Sequence, residues 1–349
     1  MLGYGSLFFT SEESSYGTYD PKRFNNGVSN ASDYDDMIPH YLIPNSRPSF
    51  KSNIIRKNFM RSSFRTFSND TTPGIGEVTG NFDVALSDYS GTKKILQLFM
   101  GLDSSFGVSV WNAGTIKSPL DNVKSMTIYQ TYPNNKNLLT KFTGMCINSL
   151  SLSVPGSDTF PIISFDFLGK NEEFVEGTGD LANFHNKTKV DSAFNDVFPA
   201  WTTTLEFEKD TNDWQPVFMY DFNFSINNNL AFSDHTEDGL THSNKPVALL
   251  REVTGSFSLV GTDESTARMD DIALLLSKIK NNTSIKLRLK IKDQKETDYF
   301  QFEMDNVYML SGGVFDSIDY GELRIPITFI AEDGADNGQD YRILYGSGS

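Results

Sequence analysis

Through much of the second half of the chain hydrophobic residues occupy alternate positions, and this period of two organises the reading of the rest. Phe218, Tyr220, Phe222, Phe224 and Ile226 take every other place, the pattern of a strand with one buried face. Asn227, Asn228 and Asn229 follow. Asparagine tolerates turn and left-handed backbone, so the strand is expected to stop there. SIKLRLKIK sets Ile285, Leu287, Leu289 and Ile291 against Lys286, Arg288, Lys290 and Lys292, and YFQFEMD sets Phe300, Phe302 and Met304 against Gln301, Glu303 and Asp305. Pairing these two strands would place a basic row beside an acidic one. Each opposite-charge pair contributes roughly 0.2–1 kcal/mol, so the cations are expected to be structural. ELRIPITFIAE (322–332) reads as the closing strand, with Pro326 suggesting an edge or a bulge.

The first half carries the same period less cleanly. FRTF (64–67), residues 77–86, MTIYQTY (126–132), residues 142–154 and IISFDFLG (162–169) read as strands. Helical spacing appears twice. KKILQLFM (93–100) precedes Gly101, which is placed to end a helix. Met269, Ile272, Ala273, Leu276 and Ile279 define an amphipathic helix of about three turns, ended by Asn281 and Asn282. Residues 1–60 follow neither period. Their Gly, Ser, Asn, Asp and Pro content reads as an extended N-terminal arm, lying on its own domain or on a neighbouring subunit.

One phrase occurs in both halves: EVTGNFDV at 77–84 and EVTGSFSL at 252–259. Each copy is followed by a polar turn and then a helix, which makes a duplicated unit the simplest reading. The phrase is displaced by 175 residues, Phe142–Asn148 against Phe300–Asn306 by 158, and Phe165 and Phe167 against Ile327 and Phe329 by 162. Loop insertions near 101–125 and near 311–321 would account for the drift. Gly80 and Gly255 read as points where a strand kinks or meets another backbone closely. Phe82 and Phe257 read as core anchors, and Met269, Ile272, Leu276 and Ile279 as the buried stripe of the second helix. The expected organisation is an arm (1–60), a first domain (61–175), a linker (176–200), a second domain (201–333) and a C-terminal tail (334–349). The fold class is mainly β: two tandem β-sandwich or β-barrel domains, each with one short helix.

Composition narrows the function. A formal charge of −15 with a pI near 4.7 argues against a DNA-binding protein, because affinity for duplex rests on cations set against phosphate. No apolar run approaches the roughly 18 residues of a membrane-spanning helix, and no signal peptide is expected. The single Cys146 suits a reducing compartment and reads as a buried structural thiol. His40, His185, His235 and His242 match no metal-ligand spacing. GIGEVTG (74–80) lacks the spacing of a phosphate loop, and DGADNGQD (333–340) has the wrong carboxylate spacing for calcium. The expectation is a protein without catalytic residues, cofactor or metal.

DFNFSINNNL (221–230), followed by REVTGSFSL (251–259), a short helix, paired alternating strands and a closing strand, resembles the tail tube proteins of long-tailed bacteriophages. These are similar in fold to the tubes of contractile injection machines and type VI secretion. The resemblance covers about 216–332 well. The first half looks like a diverged copy that keeps VTG-x-F and lacks the Asn run. What the resemblance implies is a structural virion protein, assembled in the bacterial host cytoplasm. Its subunits would form rings with a continuous β-barrel wall, and the rings would stack into a hollow tube for DNA passage. A duplicated chain implies homotrimeric, pseudo-hexameric rings. Implied partners are the chain itself, other tail proteins (tape measure, tail terminator, baseplate) and DNA that passes without specific binding. Which residues face the lumen is unknown from the sequence. Two alternatives stand beside this reading: a tube-end or baseplate hub component with the same domain, and a receptor- or glycan-binding β-sandwich tail protein.

Overall fold

The computed structural model describes residues 7–13, 15–17, 38–40, 48–51, 54–56, 71–73, 76–87, 90–101, 110–112, 123–132, 135–156, 159–176, 197–232, 244–261, 266–295, 298–312, 318–319, 322–332 and 341–347. The expected FRTF strand and His185, His235 and His242 lie outside them. Strands β1 (Leu7–Glu12), β2 (Ile38–His40), β3 (Ser49–Lys51), β4 (Ile54–Arg56), β5 (Thr71–Pro73) and β6 (Glu77–Ala85) precede helix α1 (Ser90–Phe99). β7 (Val110–Asn112), β8 (Ser125–Tyr132), β9 (Asn135–Val154), β10 (Ile162–Gly169) and β11 (Asn171–Glu176) follow. The second half runs through β12 (Thr203–Asp210), β13 (Asp213–Val217), β14 (Met219–Asn227), β15 (Leu230–Ala231), β16 (Val247–Ala248) and β17 (Glu252–Gly261) to helix α2 (Thr266–Lys280). It ends with β18 (Ile285–Lys292), β19 (Asp298–Gly312), β20 (Ile318–Asp319), β21 (Glu322–Ala331) and β22 (Tyr341–Ser347).

Alternation decides what is buried. Ile163, Phe165 and Phe167 of β10 are buried while Ser164 and Asp166 are not, and Phe222, Phe224 and Ile226 of β14 are buried while Asn223, Ser225 and Asn227 are not. The helices end on local chemistry. Gly101 takes φ 72° and donates its N–H to the Leu98 carbonyl at 3.0 Å. Asn282 takes φ 50° while the Thr283 N–H returns to the Lys278 carbonyl at 3.0 Å, which satisfies carbonyls the last turn would leave open. Asn229 likewise takes φ 47° just beyond β14. Helix α1 buries Ile95, Leu96, Leu98 and Phe99. Helix α2 buries Leu275, with Ile272, Leu274, Leu276 and Ile279 partly buried against the same core; the Met269 side chain is outside the described residues.

All ladders are antiparallel, and the two halves repeat one set of neighbours. In the first, β2 pairs β1, β1 pairs β8, β8 pairs β9, and the opposite edge of β9 takes β10 running on into β11. β10 then pairs β6, and β6 pairs β3. In the second, β13, β12, β18 and β19 pair in that order, the opposite edge of β19 takes β21 and β22, and β21 leads through β17 to β14. Registers agree as well: Gly80 faces Phe167 and Phe82 faces Phe165, as Gly255 faces Phe329 and Phe257 faces Ile327.

This register corrects the expected offset of 158. Ile147 faces Phe167 and Met309 faces Phe329, so β9 maps onto β19 with a displacement of 162, and Met304 is the counterpart of Phe142. A Phe-to-Phe match misled because the inward position holds Phe in one strand and Met in the other. The extra residues of the second half accordingly fall in the turn at 293–297 between β18 and β19, not near 311–321. Within the expected N-terminal arm, short segments are strands of the sheet. β1 and β3 are sheet members that occupy the places of β12 and β14. β22, within the expected tail, pairs with both β19 and β7.

Candidate assembly interface

The two halves meet where β14 lies on β9. Six rungs join them, from Phe222 opposite Val154 to Asn227 opposite Ser149. The inward side of this joint is aromatic. Phe222 stacks on Phe257 and Phe329 at centroid distances of 6.4 and 6.1 Å, and Phe224 stacks on Phe302 at 4.1 Å. Gly255 sits among these rings at ordinary negative φ. A Cβ there would run into the Phe329 ring and approach the Asn223 carbonyl oxygen to 2.7 Å, so glycine is required for space and not for a turn. Phe82, its counterpart's neighbour in the repeated phrase, is edge-on to Phe167 at 4.9 Å.

The end of the joint is closed by asparagines. The Asn228 N–H donates to the Asn148 carbonyl at 2.8 Å, and the Leu230 N–H donates to the Asn148 Oδ1 at 2.7 Å. The Asn228 Nδ2 donates to the Ile147 carbonyl at 3.3 Å and its Oδ1 accepts from Arg251 Nε at 2.8 Å. Asn148 is the extra residue of a bulge opposite β10, which frees its backbone and side chain to serve the incoming strand. The triple Asn therefore has a second use beyond ending β14.

The outward side of the same sheet is made of short polar side chains in rows that cross strand after strand. One row reads Asn81, Asp166, Ser149, Asn227, Glu252; the next Asp83, Ser164, Ser151, Ser225, Thr254, Ile330; the third Ala85, Ile162, Ser153, Asn223, Ser256, Thr328. Eleven of these seventeen residues are Ser, Thr or Asn, three are acidic and none is Lys or Arg. These three rows thus offer hydroxyls and amides to water and no cation to a phosphate, while Arg324 of β21 and Lys51 of β3 lie at their margins. Two of its carboxylates are engaged: Asp166 accepts from Ser149 Oγ at 2.5 Å and Asp83 from Asn81 Nδ2 at 3.2 Å. The rows pass through the joint without interruption, and both helices pack on the other face.

The basic row of β18 lies elsewhere and is occupied. Arg288 is bonded to Glu206 (Nε to Oε2, 2.5 Å) and stacks over Trp214 at 4.2 Å; Lys286 pairs with Glu208 at 3.1 Å and Lys290 lies 4.7 Å over Tyr299. The Arg288 and Lys286 ion pairs run to β12, while β18 also pairs with β19 as the sequence pattern suggested, with Glu303 opposite Arg288 in the register. Partial burial opposes the charge on Glu208, yet the Asn212 N–H and the Lys286 ammonium outweigh it and hold this carboxyl below its usual range.

One further cluster was not legible beforehand. Glu13 is buried beside the bulge of β9 and accepts from Thr127 Oγ1 at 2.8 Å, Gly144 N at 2.9 Å and Gly17 N at 2.8 Å. Near it, burial pushes the Cys146 thiol and the Tyr16 hydroxyl far up. A thiol held protonated is a poor nucleophile, so the cluster reads as packing. Among the described residues no three His, Cys, Asp or Glu side chains group to hold a metal, and no helix is long and apolar enough to cross a membrane.

An antiparallel sheet repeated in tandem and bearing one extended polar face defines a mainly-β fold. Residues 3–339 match the family of phage tail tube proteins, and the chain belongs to that family. It is thereby a structural component of the virion tail that assembles with itself and with other tail proteins. No curated protein matches the chain.

Proposed function

We propose that copies of this chain assemble into rings, three chains supplying six like units, that stack into the hollow tail tube through which DNA passes to the host cell. The units are taken as residues 61–175 and 201–333, completed by β1 and β3 ahead of the first. The observation that carries the reading is the polar face that runs unbroken across the β9–β14 joint with no Lys or Arg in its three rows, Lys51 of β3 and Arg324 of β21 lying at its margins. A sheet bent into a ring crowds side chains on its concave side and leaves room for a helical layer on its convex side. The short Ser, Thr and Asn side chains suit the first position and the face covered by α1 and α2 the second. Duplex affinity grows with the number of phosphates that Lys and Arg neutralise, so a wall poor in cations lets DNA slide. Its few carboxylates add a repulsion that reaches about 8 Å at physiological salt.

Electron microscopy of the purified protein tests this directly. Hollow tubes are expected; isolated rings that never stack would favour a tube-end component, and monomers would defeat the reading. A native mass of six chains per released ring, instead of three, would remove the pseudo-six-fold arrangement.

A further inference from the structure

The joint inside the chain is a template for one between chains. β9 has two edges, and the one that carries β8 continues past it to receive β14. β19, the counterpart of β9, carries β18 on the corresponding edge as far as the rung between Ile285 and Val307. Beyond that rung, Tyr308–Gly312 pair only with β21 on the other side, and among the described residues no strand covers the remaining edge. β3 presents the complementary vacancy. It stands in the place of β14, since Ser49, Phe50 and Lys51 face Thr79, Val78 and Glu77 as Ser225, Ile226 and Asn227 face Thr254, Val253 and Glu252. β14 has β9 on its second edge, whereas β3 has no described strand there.

We infer that the open edge of β19 in one copy receives β3 of a second copy, in the register that β9 and β14 already use. This rests on the ring reading above and supplies its contact. Moving the internal rungs Ile226–Leu150 and Asn227–Ser149 onto the equivalent positions pairs Phe50 with Gly312 and Lys51 with Ser311. The contact is head to tail, because the edge used on one copy differs from the edge used on the next. Such heterologous contacts close into a ring when their rotation allows it. A joint that repeats the internal register repeats the internal rotation, so successive units turn by the same step whether or not the chain is continuous between them.

The template also shows where the two joints differ. Asn148, whose carboxamide and carbonyl hold the incoming strand, is replaced at the equivalent bulge by Leu310, which is 59% exposed in the single chain. Pro48 stands where β14 has Phe224, which removes one backbone donor. The contact between copies therefore has fewer specific hydrogen bonds, and it covers an exposed leucine on an edge that would otherwise invite non-specific pairing. A weaker joint between chains than within them lets the chain fold first and close the ring afterwards.

Disulfide trapping tests the register. Cα atoms on facing antiparallel strands lie about 4.5–5.5 Å apart, inside the range a disulfide spans. In assembled protein carrying Lys51→Cys and Ser311→Cys, oxidation is expected to shift the 39.1 kDa band to a ladder of multiples ending in a closed species, while each single variant gives none. Ser149→Cys with Asn227→Cys is the internal control, and it should close within one chain without a change in mass. Rings present by microscopy, an internal control that closes and no ladder would overturn the joint and leave the ring standing. Absence of rings from the unmodified protein would instead defeat the ring reading. Should the double variant misfold, hydrogen exchange on the unmodified chain decides the same point. Amides of 49–51 and 308–312 should become protected on assembly, and unchanged exchange there in intact rings would overturn the inference.

Discussion

Two outward faces of one sheet are built on opposite chemistry. Across β12 and β18 the outward positions are mostly long and charged, with Glu206 bridged to Arg288, Glu208 to Lys286, and Trp214 and Tyr299 stacked under cations. Across β6, β10, β9, β14 and β17 they are short and mostly neutral. Both faces alternate with the same aromatic core, so burial does not explain the contrast. A charged ladder holds strands together by pairs that salt weakens. A hydroxyl face contributes little to stability and is instead suited to touching something charged without holding it.

The comparison is broken most severely from beneath. Phe222 lies under the neutral face at the joint, fully buried and stacked on Phe257 and Phe329. Phe222→Ala should lower unfolding free energy by about 3–5 kcal/mol, whereas Ser225→Ala, three residues along on the outward side, should change it by less than about 0.5 kcal/mol. Denaturant titration of both variants checks this; equal losses would mean that the face itself carries the stability. Gly255→Ala comes next. Its Cβ would meet the Phe329 ring and the Asn223 carbonyl, and backbone cannot step aside as a flexible side chain can. A loss of about 1–3 kcal/mol is expected from such overpacking, read as a lowered melting temperature.

Alternation made the strands of the second half legible, because β18, β21 and β14 from Phe222 onward keep large apolar residues at their inward positions; Phe218 and Tyr220, expected on the same buried face, are instead exposed because the register slips between Met219 and Phe222. The helix ends were legible from Gly101, Asn281 and Asn282, since capping is local. The N-terminal strands were not. Where β12 buries Phe207, β1 buries Thr10, and where β14 has Phe224, the segment at β3 has Pro48, so the same places in the fold lost the period that announces them. The joint was half visible. The serines at 149, 151 and 153 marked a strand with a polar face, yet nothing local tells that their partner is a strand some seventy residues onward. Pairing at that distance is a property of the whole sheet, which only the register discloses.

On the charged side the expected effects are smaller. Glu206→Ala leaves Arg288 stacked on Trp214 but without its carboxylate, and both side chains are about one-fifth exposed. A loss of about 1 kcal/mol is expected, shrinking as salt is raised. The same ladder predicts a pH dependence. Because Glu208 is held below its usual range in the folded chain, its pairing stabilises the fold above the unfolded value of about 4.3 and is lost as pH falls through the lower, folded value. Lys286→Ala should flatten the acid limb of a stability–pH curve, and an unchanged limb would remove this pair as its source.

The smallest change in stability belongs to the test that separates the faces by function. Ser151 lies in the middle row of the neutral face, flanked by Ser164 and Ser225, while Thr204 is exposed on the charged one. Ser151→Lys and Thr204→Lys should each shift folding free energy by no more than about 0.5 kcal/mol. Their effects on DNA should differ. On the proposed ring reading a lysine at 151 gives every unit of that kind a cation to set against phosphates, and retention of duplex by assembled particles should rise and fall off with salt, with a slope of about 0.9 per phosphate neutralised. A lysine at 204 stands opposite Lys290 and two residues from Glu206, off the face proposed to line the passage, and should leave retention at the level of the unmodified particle. Equal retention by the two variants would mean that the neutral face does not look onto the DNA, whatever ring the chain forms.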